Sequence, residues 1–399
     1  MSTTAERMRQ WTGPAWLGYG FRPFFLGAAL WAAVVMALWI WMLAGGAGPP
    51  TRFDPVTWHA HELLFGYLGA VSAGFLLTAV PNWTGRLPIV GWPLGGLFAL
   101  WLFGRLAVAV SGALPPLAAA LADLAMPVTL AAVIAREIVA GRNWRNLPVL
   151  GILAALILGN AVFHWEAARG AYAAQGYGLR LGLATGMMMI ALIGGRIVPS
   201  FTRNWLVRQG SGALPAPPMQ GFDRAALVAL LAALALWVAL PEAALSGAGL
   251  AAAGALHLAR LARWCGHRTG AEPLVWVLHA GYAFLPLGAL ALGAGILWPG
   301  ALGMAAAQHL WMAGAIGLMT LAVMTRATLG HTGRVLSAGP GTTALYLALI
   351  ASVLARVAAG LWPGQAGSLQ SLAGLAWLTA FGGFAGLYGP LLLCPRPKE

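Results

Sequence analysis

The chain alternates between long apolar runs and short polar connections. The runs stay apolar for about 20 residues, the length of a helix that crosses the hydrocarbon core of a bilayer. They lack the strict apolar–polar alternation of transmembrane barrel strands. The pattern therefore predicts an all-α, polytopic integral membrane protein with twelve spanning helices. The predicted spans are roughly 21–44, 59–80, 92–112, 115–136, 147–166, 178–199, 224–242, 247–264, 273–297, 301–325, 341–361 and 368–391.

The connections between these runs are too short to hold a separate soluble domain. The longest, 200–223, contains Ser211, Gly212 and a proline-rich stretch at 215–218, a composition typical of a flexible linker. We expect a single membrane domain over 1–399, with two six-helix halves, roughly 1–205 and 219–399, joined by this linker. No internal repeat is evident from the sequence.

The composition excludes several other classes of protein. Hydrophobic residues make up 60% of the chain and charged residues 8%, whereas a soluble domain carries about 25% charged residues. An ordinary soluble enzyme, a disordered chain and a fibrous protein are therefore excluded. The net charge of +13 does not indicate nucleic-acid binding, because the basic residues lie singly or in small groups between apolar runs.

The distribution of basic residues predicts the orientation in the membrane. If the N-terminus is cytoplasmic, 18 of the 23 basic residues fall on the cytoplasmic side, as the positive-inside rule requires. Both termini are then cytoplasmic. Cys265 and Cys394 face the reducing compartment, which agrees with their lack of an evident partner. The other five basic residues are Arg52, Arg169 and Arg180 outside, and Arg105 and Arg356 within spans.

The eight histidines fall into two layers in this topology. An ionisable group inside a bilayer is costly and usually faces the bundle interior, so each is a candidate for function. A single one can equally be a packing histidine bonded to a neighbour, but four in one layer favour the binding of a metal or haem. The outer layer contains His59, His61, His164 and His309, and the inner layer His257, His267, His279 and His331.

The segment 58–62 reads Trp-His-Ala-His-Glu. On a helix, His59 and Glu62 share a face because they are three residues apart, whereas His61 points about 200° away from His59. His59 and Glu62 would then hold one metal, iron or copper, while His61 addresses another partner. If His59 instead lies in the loop before the helix, the imidazoles of His59 and His61 converge. A polar cap on the second helix, with Trp58 as an interfacial anchor, is the structural alternative.

His309 lies in a segment of small residues, 303–314, which allows a helix or a flat macrocycle to approach the backbone closely. Its predicted depth is about 12 Å below the outer surface, at 1.5 Å per residue. We predict that His309 is an axial haem ligand. The alternative is a close helix crossing in which His309 makes an interhelical hydrogen bond.

Two segments rich in hydrogen-bond donors, 196–204 and 324–334, end the sixth and tenth spans. Arginine side chains bind carboxylates well, so haem propionates or another anionic ligand would suit Arg196, Arg203 and Arg326. Anchoring at the cytoplasmic surface explains the arginines alone, but not the Ser, Thr, Asn and His residues beside them.

Together, these segments resemble the NnrS family of bacterial haem- and copper-containing membrane proteins. The resemblance extends over nearly the whole chain, in the family's order. It implies a twelve-helix protein of the bacterial inner membrane that carries haem and copper, with a role in nitric oxide tolerance during denitrification or nitrosative stress. It implies neither the reaction nor the ligands. We expect the haem to be of the b type. The matching segments are 20–25, 58–66, 78–85, 194–204, 278–282 and 322–334.

The leading hypothesis is a membrane protein that binds nitric oxide and takes part in its detoxification or reduction, as a haem-dependent oxidoreductase. The inner-layer residues His279 and His331 would hold a second haem or a quinone-side site, and Glu62 would be a metal ligand or a proton donor. Nitric oxide, a quinol or other electron donor and the lipid bilayer are the expected partners, without nucleic acid. The outer layer would hold haem and a second metal through His59, His61, Glu62, His164 and His309.

Two other functions fit the same features. Twelve spans in two halves suit a transporter, which would move a metal, haem or a nitrosylated iron species. A non-catalytic nitric oxide sink or sensor is the other alternative. Turnover of nitric oxide by the purified protein distinguishes an enzyme from both.

Overall fold

The computed structural model describes residues 11–84, 89–210, 212–300 and 303–395. Every regular element in these residues is helical, and twelve of the helices are long and apolar enough to cross a membrane. The predicted all-α, multi-pass membrane protein is therefore confirmed. The helices are α1 Phe21–Leu43, α2 Pro55–Pro81, α3 Trp92–Ala109, α4 Pro116–Ala140, α5 Trp144–Ala168, α6 Tyr177–Arg208, α7 Gly221–Ala239, α8 Ala244–Arg268, α9 Pro273–Leu297, α10 Met304–His331, α11 Pro340–Leu361 and α12 Pro363–Leu393.

Two helices extend well beyond their predicted ends. The apolar runs placed these ends at 199 and 325, but α6 continues to Arg208 and α10 to His331. An apolar run marks the part of a helix that suits lipid, and backbone hydrogen bonding continues past it. The donor-rich segments 196–204 and 324–331 are therefore helical. Helix α10 also begins later than predicted, so His309 lies about 8 Å, rather than 12 Å, along the helix from its start.

The starts of several helices follow from local sequence. Helices α2, α4, α9 and α11 each begin with proline, which lacks the N–H that would have no partner in the first turn. At α2 the Asp54 carboxylate accepts hydrogen bonds from the backbone N–H groups of Val56 and Thr57, each at 3.0 Å. This cap fixes the helix start one turn before the histidines of segment 58–62.

Within the part of the chain that the structure describes, three helices contain a π-helical segment, in which the backbone hydrogen bonds skip one more residue than in an α-helix. These segments are Glu62–Tyr67 in α2, Ile190–Gly194 in α6 and Leu310–Leu318 in α10. Such segments are rare in proteins overall, and where they occur they often belong to a functional site. Two of them begin directly after a histidine, His61 and His309, which were both predicted as ligands.

The chain divides into two compact units. The first consists of Met1–Gly182, Ala327–Val335 and Phe381–Glu399, and the second of Leu183–Arg326 and Leu336–Ala380. In the first unit α2 is the most enclosed helix, with 83% of its most apolar stretch buried.

Five basic residues used to predict the orientation lie outside the described residues: Arg7, Arg9, Arg86, Arg396 and Lys398.

In the first unit, the N-terminal end of α1 holds the end of α12. The buried Arg22 side chain donates hydrogen bonds from one Nη1 atom to the backbone carbonyls of Leu392 and Cys394, at 3.0 and 2.6 Å. The last carbonyls of a helix have no partner within the helix, so the guanidinium satisfies groups that lipid could not. These hydrogen bonds give Arg22, which belongs to the segment 20–25, a structural role.

Candidate metal centre

Six polar side chains meet inside the apolar helices of the first unit. Each lies in a predominantly apolar span, and two of them, on α5, are four residues apart and so share one helix face. All six residues are buried. They are His61 and Glu62 on α2, Arg105 on α3, Asp123 on α4, and Asn160 and His164 on α5.

The imidazole of His61 lies at the middle of this cluster. Its Nδ1 is 3.0 Å from Glu62 Oε1, and its Nε2 is 3.0 Å from Asn160 Oδ1 and 3.2 Å from Asp123 Oδ2. The same Asp123 oxygen lies 3.0 Å from His164 Nε2 and accepts a hydrogen bond of 2.8 Å from Asn160 Nδ2. Two imidazoles and an amide thus converge on one carboxylate oxygen.

Arg105 joins the two carboxylates of the cluster. Its Nη1 donates to Glu62 Oε2 at 2.7 Å, and its Nη2 pairs with the second oxygen of Asp123. Trp31 Nε1 also donates to Glu62 Oε2, at 2.7 Å. The guanidinium needs the absence of a side chain at Gly66, because a Cβ atom there would lie 2.5 Å from Arg105 Nη1. Glycine at the π-helical segment therefore makes room for the ion pair.

The charges of the cluster favour a cation. Glu62 and Asp123 bring two negative charges and Arg105 one positive charge, so neutral histidines leave one negative charge uncompensated. A buried charge without a partner is costly. His61, Asp123 and His164 each offer a ligand atom, and these three atoms lie within 4.8 Å of one another. Two imidazoles with one carboxylate suit copper, iron or zinc.

The structure brings three residues of the predicted outer layer together: His61, Glu62 and His164. The ring of His59 instead packs against that of Trp39, with 4.4 Å between the centroids and 30° between the ring planes. The expectation that Glu62 acts with His59 while His61 addresses a separate partner is wrong in one respect, because the Glu62 carboxylate contacts His61. The π-helical segment that begins at Glu62 changes the angular spacing of side chains, so a regular α-helical projection does not apply there.

Arg105, Asp123 and Asn160 were not among the predicted site residues. Each carries a signal in the sequence, since a lone charged or amide side chain in an apolar span needs a buried partner. Asn160 is also four residues before His164, which places both on one face of α5. The partner helix of each residue, however, was not predictable.

Two predicted haem ligands lie in the second unit. His309 Nδ1 donates to the carbonyl of Ala305 at 2.6 Å, which leaves Nε2 as the unprotonated ring nitrogen. His279 Nε2 lies 2.8 Å from Thr202 Oγ1, and its buried Nδ1 has no hydrogen-bond partner among the described residues.

The remaining predicted residues lie on α6 and α10. His331, in the first unit, is the last residue of α10, and its ring lies 5.2 Å from that of Tyr19. In the second unit the Arg326 guanidinium lies 4.0 Å above the ring of Phe201, while Arg196 and Arg203 are exposed. No contact among the described residues brings these three arginines together.

A short repeat relates α2 and α10. In both helices a histidine is followed by glycine five and eight residues later, as His61, Gly66 and Gly69 or His309, Gly314 and Gly317. The tripeptide Thr-Gly-Arg then follows at the same distance, at 84–86 and 332–334. In both helices the π-helical segment also begins directly after this histidine. In this sequence match His61 corresponds to His309.

A family model described as NnrS protein matches residues 15–396, nearly the whole chain. The chain belongs to the NnrS family. This result confirms the resemblance carried by the six sequence segments, and membership points to a role in nitric oxide tolerance. The NnrS family is associated with haem and copper, and the buried His61, Asp123 and His164 set is the metal-binding candidate in this member. No curated protein matches the chain.

Proposed function

We propose that this NnrS protein is a haem- and copper-containing protein of the bacterial inner membrane that binds nitric oxide and takes part in its detoxification or reduction. The buried cluster around His61 is the observation that supports the proposal. Ionisable residues inside a membrane are rare and costly, and they mark functional sites. A packing histidine needs only a partner or two, whereas this cluster combines two imidazoles, two carboxylates and a guanidinium.

Copper fits the donors of this cluster. His61, Asp123 and His164 would hold the ion, and Glu62 would orient His61 by accepting the Nδ1 proton. Metal-bound histidines commonly donate their second ring N–H to a carboxylate in this way. When bound, copper would supply one-electron redox chemistry and a position for nitric oxide. Arg105 holds both carboxylates in place and balances part of their charge.

Haem fits His309. The Nδ1–H of a haem-ligating histidine commonly donates to a backbone carbonyl, as His309 does to Ala305, so the Nε2 of His309 would hold the haem iron. We propose a b-type haem here, whose iron would bind nitric oxide. His279 and His331 are proposed for a second haem or a quinone-side site. Arg196, Arg203 and Arg326 are proposed as contacts of haem propionates.

Glu62 is the proposed proton-transfer residue. Reduction of nitric oxide consumes protons, and the Glu62 carboxylate lies one hydrogen bond from the His61 imidazole. Trp31 and Arg105 both donate to its second oxygen, so they fix the orientation of the carboxylate. Glu62 would thereby hold or move a proton at His61 Nδ1, with a quinol or another donor supplying the electrons.

Loss of copper in His164→Ala tests the proposed metal ligands. We expect the purified variant to lose its copper, because one of the two imidazoles is removed from a three-ligand set. His257→Ala is the matched control, since His257 is also fully buried but contacts Tyr282 and Ala226 rather than a carboxylate. Copper per protein is measured by mass spectrometry. Wild-type copper content in folded His164→Ala would contradict this assignment.

His309→Ala tests the proposed haem ligand. We expect the visible Soret band of the purified protein to disappear or shift, because the imidazole that would hold the haem iron is removed. His267→Ala, which changes an exposed histidine, should keep the wild-type spectrum. An unchanged haem spectrum in folded His309→Ala protein would assign the iron to other ligands.

The overall function is tested by turnover of nitric oxide in the purified, metal-loaded protein with an electron donor. We expect consumption of nitric oxide that falls in Glu62→Gln while copper is retained. Movement of a metal, haem or nitrosylated iron species into proteoliposomes, without turnover, would instead establish the transporter. Nitric oxide binding without turnover or transport would establish a sink or sensor.

A further inference from the structure

A small cavity adjoins the candidate metal centre in the first unit. Its volume is about 20 Å³, and one water-sized sphere takes up roughly 10–15 Å³, so the cavity has room for one small molecule. The α2, α3, α4 and α5 helices all contribute to its wall. The lining residues include Phe65, Trp101, Met126, Leu156 and Ile157 on the apolar side and Arg105, Asp123 and Asn160 on the polar side.

The polar side of the cavity is shared with the metal centre. Asp123 and Asn160 both contact His61, and Asp123 also contacts His164. Asp123, one of the proposed copper ligands, is therefore part of the cavity wall. A molecule in the cavity would lie directly beside the metal centre. The rest of the wall consists of aromatic and aliphatic side chains, which disfavour an ion.

Gly69 on α2 accounts for part of the empty space. This glycine is buried and lines the cavity, yet a Cβ atom built on it would meet no heavy atom within 4 Å. Glycine is a poorer helix former than alanine in the middle of a helix. At this position a larger residue would fill the cavity rather than collide with a neighbour.

Arg105 provides an unused hydrogen-bond donor. Its side chain is only 3% exposed, and its Nε–H group has no hydrogen-bond partner among the described residues. Buried polar groups are nearly always paired, so an unpaired donor in a cavity wall calls for an acceptor. Asn160, on the same wall, is engaged with the metal centre, since its Nδ2 donates to Asp123 and its Oδ1 contacts His61.

We propose that this cavity is a docking site for one small uncharged molecule with a weak acceptor atom, and that nitric oxide occupies it beside the metal centre. The inference rests on the proposed function. A buried water typically makes about three hydrogen bonds, whereas most of this wall is apolar and Arg105 Nε is the one lining nitrogen that has no partner among the described residues. A diatomic molecule of low polarity suits one donor and an apolar wall, and it can reach the site through lipid.

The kinetic test compares Gly69→Val with Gly151→Val in the metal-loaded protein. Gly69→Val fills the cavity, and we expect nitric oxide to associate about tenfold more slowly, at unchanged metal content, because binding then requires neighbouring side chains to move. Gly151 lies on the exposed face of α5 and also has open space around it, so Gly151→Val should keep the wild-type rate. A wild-type rate in Gly69→Val would overturn the proposal, and Gly69→Ala provides a milder second variant.

Crystals of the metal-loaded protein pressurised with krypton test the cavity independently of any reaction. We expect krypton density in the wild-type cavity and none in Gly69→Val. An ordered water that krypton does not displace would overturn the docking site. If krypton binds but the protein never binds nitric oxide, the proposed function fails while the apolar cavity stands, so the two failures are distinguishable.

Discussion

Arg105→Met is expected to destabilise the protein by about 3–5 kcal/mol, because it leaves the buried carboxylates of Glu62 and Asp123 without their shared cation. Methionine preserves most of the side-chain volume and removes the charge and the donors. The measurement is the free energy of unfolding in detergent, or the yield of folded protein if the variant does not accumulate.

The control for Arg105→Met is Arg356→Met on α11. Arg356 is partly buried within a span, but it forms no ion pair with any residue that the structure describes. We expect a much smaller loss of stability there, since no buried carboxylate loses its partner. Equal losses in the two variants would show that Arg105 contributes through its bulk rather than through the ion pairs.

Asp223→Asn is expected to have an effect of similar size in the second unit. Arg260 is fully buried, and its Nε donates to Asp223 Oδ1 at 2.7 Å. Asparagine keeps the size of the side chain but removes the negative charge, so the guanidinium becomes an uncompensated buried charge. We expect a loss of about 3–5 kcal/mol in the free energy of unfolding.

The double variant Asp223→Asn, Arg260→Met should recover most of that loss, because the uncompensated charge is gone. Arg260 Nη1 also donates to Tyr282 Oη and to the carbonyl of Ala191, at 3.0 and 2.9 Å, so recovery is expected to be incomplete. The coupling is obtained from a double-mutant cycle of unfolding free energies. Additive effects of the two substitutions would show that the ion pair is not the source of the stability.

Much of the fold follows from the sequence because the bilayer restricts the choices. A chain in lipid must satisfy its backbone hydrogen bonds within each span, so continuous apolar runs of this length form helices. The predicted limits of α9, 273–297, match the structure. In α6 and α10, polar residues continue the helix beyond the apolar run. Hydropathy does not mark the end of such a helix, so the predicted ends of both helices came too early.

The sequence by itself determined the twelve helices, the family and three members of the buried cluster, His61, Glu62 and His164. Only the tertiary structure placed Arg105, Asp123 and Asn160 beside them. Periodicity specifies which face of a helix a residue occupies, but apolar faces of similar composition do not specify which helix packs against which. The π-helical segment after His61 also depends on its surroundings. The cluster is formed by packing between helices, which no single run of residues encodes.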